Sequence, residues 1–215
     1  TTWDDGKPPL STPWSGPVVG TYVVATPPLV ISELMYQPAP PAPGGTNDPG
    51  DFEFVELKNV GSTTLDLTGF RLTNGVDYTF GATSAVRSLA PGAHVLLVKN
   101  LSAFQARYPG VDGVAGEFSG SLDNAGERLV LLGPLQEPIH DFDYDNAWYP
   151  VTAGLGFSLT VINPQLPPAT WTNAAGWRPS AAVGGSPGRD DTAPPALPAI
   201  RVNELLAHTD LPQLD

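Results

Sequence analysis

The chain has 215 residues, of which 23 are glycine, 25 are proline and 41% are hydrophobic, enough for one ordinary domain with flanking linkers or two small ones. Its 10 basic and 22 acidic side chains leave a net charge of −12, which disfavours a phosphate-binding basic face and attraction to an anionic membrane. The absence of cysteine excludes disulfides, thiolate metal sites and cysteine nucleophiles.

No run of about 18 apolar residues occurs, so no segment reads as a spanning helix. No signal-peptide pattern is present. The opening TTWDDGK lacks an initiator Met and points to a piece of a longer protein. Residues 1–28 read as a Pro/Gly-rich arm or linker. Within it Thr21–Ala25 has strand composition, as the last strand of a preceding domain or as an arm lying on this one. Leu29–Tyr36 is the first firm strand, with Ile31 and Met35 expected on one face and Glu33 between them. Residues 37–51 (QPAPPAPGGTNDPGD) read as a long surface loop.

Phe52–Asn59 alternates apolar and polar, with a change of face expected near Val55 and Leu57. Leu65–Leu72 follows as one strand, then Asp77–Phe80 after Asn74-Gly75, a dipeptide suited to the two positive-φ positions of a tight hairpin. His94–Lys99 follows a Pro-Gly turn. Ser102–Tyr108 is the single helical stretch, with Ser102 as its expected N-cap and Pro109-Gly110 ending it. Arg128–Leu132, Ile139–Tyr144 and Phe157–Ile162 complete the strands. About nine short strands separated by turn signals predict an all-β antiparallel sandwich or barrel. Beyond residue 163 the chain turns loop-like, and residues 190–199 read as a second linker. Residues 200–215 then restart the pattern: Val202-Asn203-Glu204-Leu205-Leu206 echoes Ile31-Ser32-Glu33-Leu34-Met35 and reads as the truncated first strand of a second copy.

Several of these stretches carry a family pattern. ISELMYQP and VNELLAH resemble the first strand of lamin-tail domains of the bacterial type. Glu53–Asn59 followed by Leu65–Leu72 (within DFEFVELKNVGSTTLDLTGFRLTNG) is similar to their most specific stretch. LAPGAHVLLV, the Leu122–Glu127 turn in GSLDNAGERLVLL, and WRPSAAVGGSPG continue the resemblance in order, over roughly residues 29–189. The resemblance implies an immunoglobulin-like β-sandwich with no catalytic residues. The chain shows neither the heptad rod nor the basic run of the nuclear filament setting. Bacterial members look like modules of large exported or surface proteins, which implies an extracellular or cell-surface location and neighbouring domains of the same chain as partners.

The candidate sites are few. Asp141, Asp143 and Asp145 alternate, which on a strand places three carboxylates on one face and suits calcium. The EF-hand glycine and terminal glutamate are missing, and a solvated outer face explains the pattern as well. Asn47, Asp48 and Asp51 offer a second calcium-type cluster in a loop, where Asn and Asp also serve simply as turn formers. Trp148, Tyr149, Trp171 and Trp177 gather in the last third of the sandwich. As exposed rings they would form a carbohydrate-stacking platform; as buried ones they would plug the sandwich. His94, His140 and His208 lack zinc-protease spacing, and no G-x-S-x-G elbow supports a triad drawn from Ser, His140 and Asp141. No cofactor is expected apart from calcium. The sequence therefore predicts a non-catalytic interaction, adhesion or spacer module of a larger exported bacterial protein. Its partner would be a protein or a cell-surface polymer, with neither nucleic acid nor membrane insertion involved. The alternative is a carbohydrate-binding accessory module that tethers a linked hydrolase to its substrate.

Overall fold

Among the described residues thirteen strands form where nine were expected, because several connections are short two- to four-residue strands that carry too few residues to show a period. The computed structural model describes residues 26–192. The expectations for the arm up to residue 25, the linker from residue 193 and the second-copy strand at 200–206 lie outside them, as does His208. In chain order the elements are β1 (Leu29–Met35), β2 (Phe54–Asn59), β3 (Leu65–Asp66), β4 (Arg71–Thr73), β5 (Val76–Thr79), β6 (Ser88–Leu89), β7 (His94–Val98), α1 (Leu101–Arg107), β8 (Val114–Glu117), β9 (Ser119–Gly120), β10 (Arg128–Leu132), β11 (Pro138–Asp143), β12 (Leu159–Val161) and β13 (Trp177–Pro179). Among the described residues no helix is long and apolar enough to cross a membrane.

A six-stranded sheet runs β13-β12-β1-β2-β7-β8, and a five-stranded sheet runs β11-β10-β4-β5-β9. β3 and β6 pair separately. Every pairing is antiparallel except β7 with β8. The fold is all-β and immunoglobulin-like. Its core lies between the two larger sheets, where Ile31, Leu57, Leu97 and Leu159 from one meet Leu72, Leu129, Leu131 and Phe142 from the other.

The facing of β1 differs from simple alternation. Ile31 pairs with Leu57 but Glu33 pairs with Glu56, so Ser32 is an extra residue in β1. A bulge of this kind turns two consecutive side chains to one side. Ile31 and Leu34 therefore face the core, while Met35 packs in a second cluster outside the six-stranded sheet. Ile31 and Met35 do not share a face. β2, in contrast, runs with no change of face. Val55 and Leu57 point into the core, Phe54 joins the outer cluster, and Phe52 sits before the strand in a 3-10 turn (Pro49–Phe52). The irregularity expected in β2 belongs to its neighbour.

The expected strand 65–72 is broken in two. At Thr68-Gly69 the chain turns, and Asp66 Oδ1 accepts from the Thr68 amide at 2.9 Å. The next hairpin forms as the dipeptide demands, with φ of 57° at Asn74 and 75° at Gly75. The helix begins one residue earlier than predicted. Asn100, not Ser102, is its N-cap, and Asn100 Oδ1 accepts from the Ala103 amide at 3.0 Å.

Candidate functional site

The outer face of the six-stranded sheet has three zones, each covered differently. At one end Met35, Phe54, Leu96 and Val98 are apolar and lie under Phe104 of α1. Phe54 meets Phe104 edge-on, with centroids 5.9 Å apart. Arg107 at the end of α1 stacks on Phe52, 3.3 Å from the ring centroid, and donates to the carbonyls of Ala39 (2.9 Å) and Pro40 (3.2 Å). That guanidinium fastens the helix to the Pro-rich loop. Beside it opens a recess of about 820 Å³, walled by Pro40, Arg107, Tyr108, Val111, Val183 and Gly184.

The middle zone is acidic. The bulge in β1 places Glu33 and Ser32 beside Glu56 of β2, and both glutamates are about 1% exposed. A strap of chain formed by residues 185–191 lies over them. Glu33 accepts from Ser158 Oγ (2.5 Å), the Ser186 amide (2.9 Å) and Ser186 Oγ (2.8 Å). Glu56 accepts from Ser32 Oγ (2.7 Å) and from the Gly188 amide (2.7 Å). Gly185 (φ 74°) passes so close that a Cβ there would stand 2.1 Å from Glu33 Oε1. Only glycine lets the strap cross at that height. Burial raises the Glu33 carboxyl above the usual range, against the opposing hydrogen bond from Ser158. It raises Glu56 well above that range, and the charge of Glu33 adds to the effect.

The third zone is ionic. Lys58 pairs with Asp190, and His94 Nε2 lies 3.2 Å from the same carboxylate. Arg178 pairs with Asp191 at 3.3 Å, and Asp191 also accepts from the Ala181 amide at 3.0 Å. Asp190 and Asp191, read from sequence as the start of a linker, thus hold the end of the strap on the sheet. A smaller recess of about 300 Å³ opens among Lys58, His94, Arg178 and Asp190. Just before β2, Glu53 ends the 3-10 turn and accepts from the Leu122 amide at 2.8 Å; burial pushes its carboxyl up to about 7.

The residues singled out from sequence meet different fates. Trp171 and Trp177 are 1% and 0% exposed, so neither presents a face to a sugar ring. Trp177 Nε1 donates to the Trp171 carbonyl at 2.8 Å, and its ring stacks on Phe142 with centroids 5.1 Å apart. Both rings are core. Tyr149 is half-buried, and its hydroxyl donates to the carbonyls of Ala174 (3.0 Å) and Trp177 (2.8 Å). Trp148 is half-buried and packs on the core. A four-ring platform does not form, because the 3-10 turn Pro168–Trp171 and β13 fold their rings inward.

The carboxylate row also fails to gather. β11 stops at Asp143, so Asp145 leaves the face shared by Asp141 and Asp143, and its Oδ1 accepts from the Ala147 amide at 2.7 Å. Asp141 is taken by Arg128 through two 2.7 Å bonds. In the loop, Asp51 Oδ2 accepts from the Asp48 amide (3.1 Å) and Asn47 Nδ2 (3.4 Å), the work of a turn. Among the described residues no group of three His, Cys, Asp or Glu stands close enough to hold a metal ion. Calcium titration followed by calorimetry is expected to leave the melting temperature unchanged. A rise would mean that the carboxylates leave these partners to bind the ion.

Sequence reasoning missed Glu33 and Glu56. The usable signal was a glutamate inside each of two apolar strands, ISELM and FVELK, where a charge survives burial only with dedicated partners. Those partners, Ser158, Ser186 and Gly188, lie more than 120 residues from Glu33 or Glu56 in the chain.

A family model described as Lamin Tail Domain matches residues 23–145. The chain belongs to this family. The lamin tail domains are generally non-catalytic immunoglobulin-like modules, and here β12, β13 and the strap lie beyond the matched stretch. Among solved structures, the chain is similar to a DUF4876 family protein from Bacteroides thetaiotaomicron, with 17% identity and a TM-score of 0.38. The similarity covers 51% of this chain and 43% of that one, so the chain spans less than half of that protein. No curated protein matches.

Proposed function

We propose that this lamin tail domain is an interaction, adhesion or spacer module of a larger exported bacterial multidomain protein, working outside the cell or on its surface. Its partners are a protein or a cell-surface polymer, together with neighbouring domains of the same chain. The observation that carries this reading is the way its buried acid–base groups are engaged. Glu33, Glu53 and Glu56 accept hydrogen bonds from the fold's own amides and serines, and His140 is 4.4 Å from the Trp171 ring centroid inside the core. Hydrolytic chemistry needs a nucleophile, a base and an oxyanion donor converging on an open position. The three glutamates are taken up instead by amides and serines of the fold, and His140 is packed against Trp171 in the core. The five-stranded sheet ends at β11, whose outer edge has no further strand among the described residues, and such an edge suits pairing with an extended partner.

The test is a pull-down of the purified chain on peptidoglycan and on insoluble polysaccharides, with Trp148→Ala beside the wild type. No retention on any polysaccharide is expected. Retention that Trp148→Ala abolishes, with the melting temperature unchanged, would favour a carbohydrate-binding accessory module built on Trp148. Retention on peptidoglycan that Trp148→Ala leaves intact supports adhesion to a cell-surface polymer.

A further inference from the structure

The strap crosses two carboxyl groups at directly opposed positions on neighbouring strands. Directly opposed residues on an antiparallel pair have Cβ atoms about 4.5–5.5 Å apart, where like charges repel. Among the described residues no lysine or arginine pairs with either carboxyl. Among the described residues the nearest basic group is His94, whose Nε2 is 3.9 Å from Glu56 Oε1, outside hydrogen-bond reach, and burial lowers its basicity. From β2, Lys58 turns to Asp190, and from β13, Arg178 turns to Asp191. Arg189 lines the small recess beside them, and the uncharged Tyr108 approaches Glu33 from beyond α1. Asp190 and Asp191 add negative charge to the field at the pair.

The hydrogen bonds suit a bound proton. The Ser186 and Gly188 amides can only donate, so Glu33 Oε1 and Glu56 Oε2 must accept. The other two oxygens face the hydroxyls of Ser186 and Ser32, which can donate or accept. If Glu56 carries the proton, it donates to Ser32 Oγ, and that hydroxyl turns to the Glu56 carbonyl 3.3 Å away. No bond is lost. We propose that residues 185–191 form a pH-sensitive latch, closed on the sheet while the Glu33–Glu56 pair holds a proton and loosened when that proton leaves. The segment released is the last one among the described residues, so the latch sets how firmly that end of the described chain is held on the six-stranded sheet.

The test is amide hydrogen exchange on the intact chain from about pH 5.5 to about pH 8.5, corrected for intrinsic rates. The Ser186 and Gly188 amides are read against Leu96 and Val130 in the two sheets. Their protection is expected to fall at least about tenfold relative to those controls as pH rises. Glu56→Gln keeps an acceptor for Gly188, offers Ser32 a donor and carries no charge, so it should flatten the profile. Should Glu56→Gln fail to fold by circular dichroism, Glu33→Gln takes its place beside the wild-type profile. A wild-type profile parallel to the controls overturns the latch, as does a fall of full size in the folded Gln variant.

Discussion

Trp177→Ala is expected to destabilise the domain by about 3–5 kcal/mol, the usual cost of removing a buried indole. For a domain of this size that is a fall in melting temperature of roughly 6–20 °C. The ring is fully buried, stacks on Phe142 across the two sheets and donates to the Trp171 carbonyl. Removing it leaves a cavity beneath β13, at the edge of the six-stranded sheet, and orphans that carbonyl. Trp177→Phe should cost less, because it keeps most of the stack and loses only the indole donor. Thermal unfolding of the three proteins checks this. A change below about 1 kcal/mol for Trp177→Ala would mean the ring is not core, and would return it to the list of ligand contacts. Any binding lost in this variant must therefore be read against its unfolding, whereas Trp148, only half-buried against the core, should cost less when truncated.

Acid is expected to weaken the domain through His140. Its side chain is 2% exposed, and neither ring nitrogen has a protein partner among the described residues. Burial lowers its pKa to about 3 from an ordinary 6.5. The folded state therefore holds the ring neutral while the unfolded chain protonates it. Its contribution is fully present above about pH 6.5 and is lost as pH falls from there toward about 3, up to about 5 kcal/mol in all. The glutamates act in the opposite sense. Glu33, Glu53 and Glu56 have raised pKa values, so their contribution is fully present below about pH 4.5 and is lost as pH rises, for Glu53 through about 7. Subtracting a His140→Phe variant from the wild type isolates the histidine. Denaturant unfolding at a series of pH values should show the variant gaining on the wild type below pH 6.5, whatever fixed packing cost the larger ring brings. Two parallel stability curves would show that His140 is not held neutral by the fold.

Both residues illustrate how far sequence reading reached. A tryptophan carries the same letter in the core and on a binding face. Whether Trp148 or Trp177 meets solvent depends on where the 3-10 turns and β13 close the sandwich. The alternation of Asp141, Asp143 and Asp145 was visible, but the end of β11 at Asp143 and the position of Arg128 on the paired strand were not.

What the sequence by itself determined is local. Alternating apolar residues, Pro-Gly and Asn-Gly turns and the absence of long periodic helices dictate short antiparallel strands, because each signal acts within a few residues of itself. The ordered lamin-tail motifs extended this to the sandwich. Tertiary structure alone decided the rest. The bulge at Ser32 swings Glu33 outward, and the strap returns more than 150 residues later to cap it, a pairing with no sequence period. Buried charge is tolerable only when donors arrive from elsewhere in the chain, and the fold is what brings them.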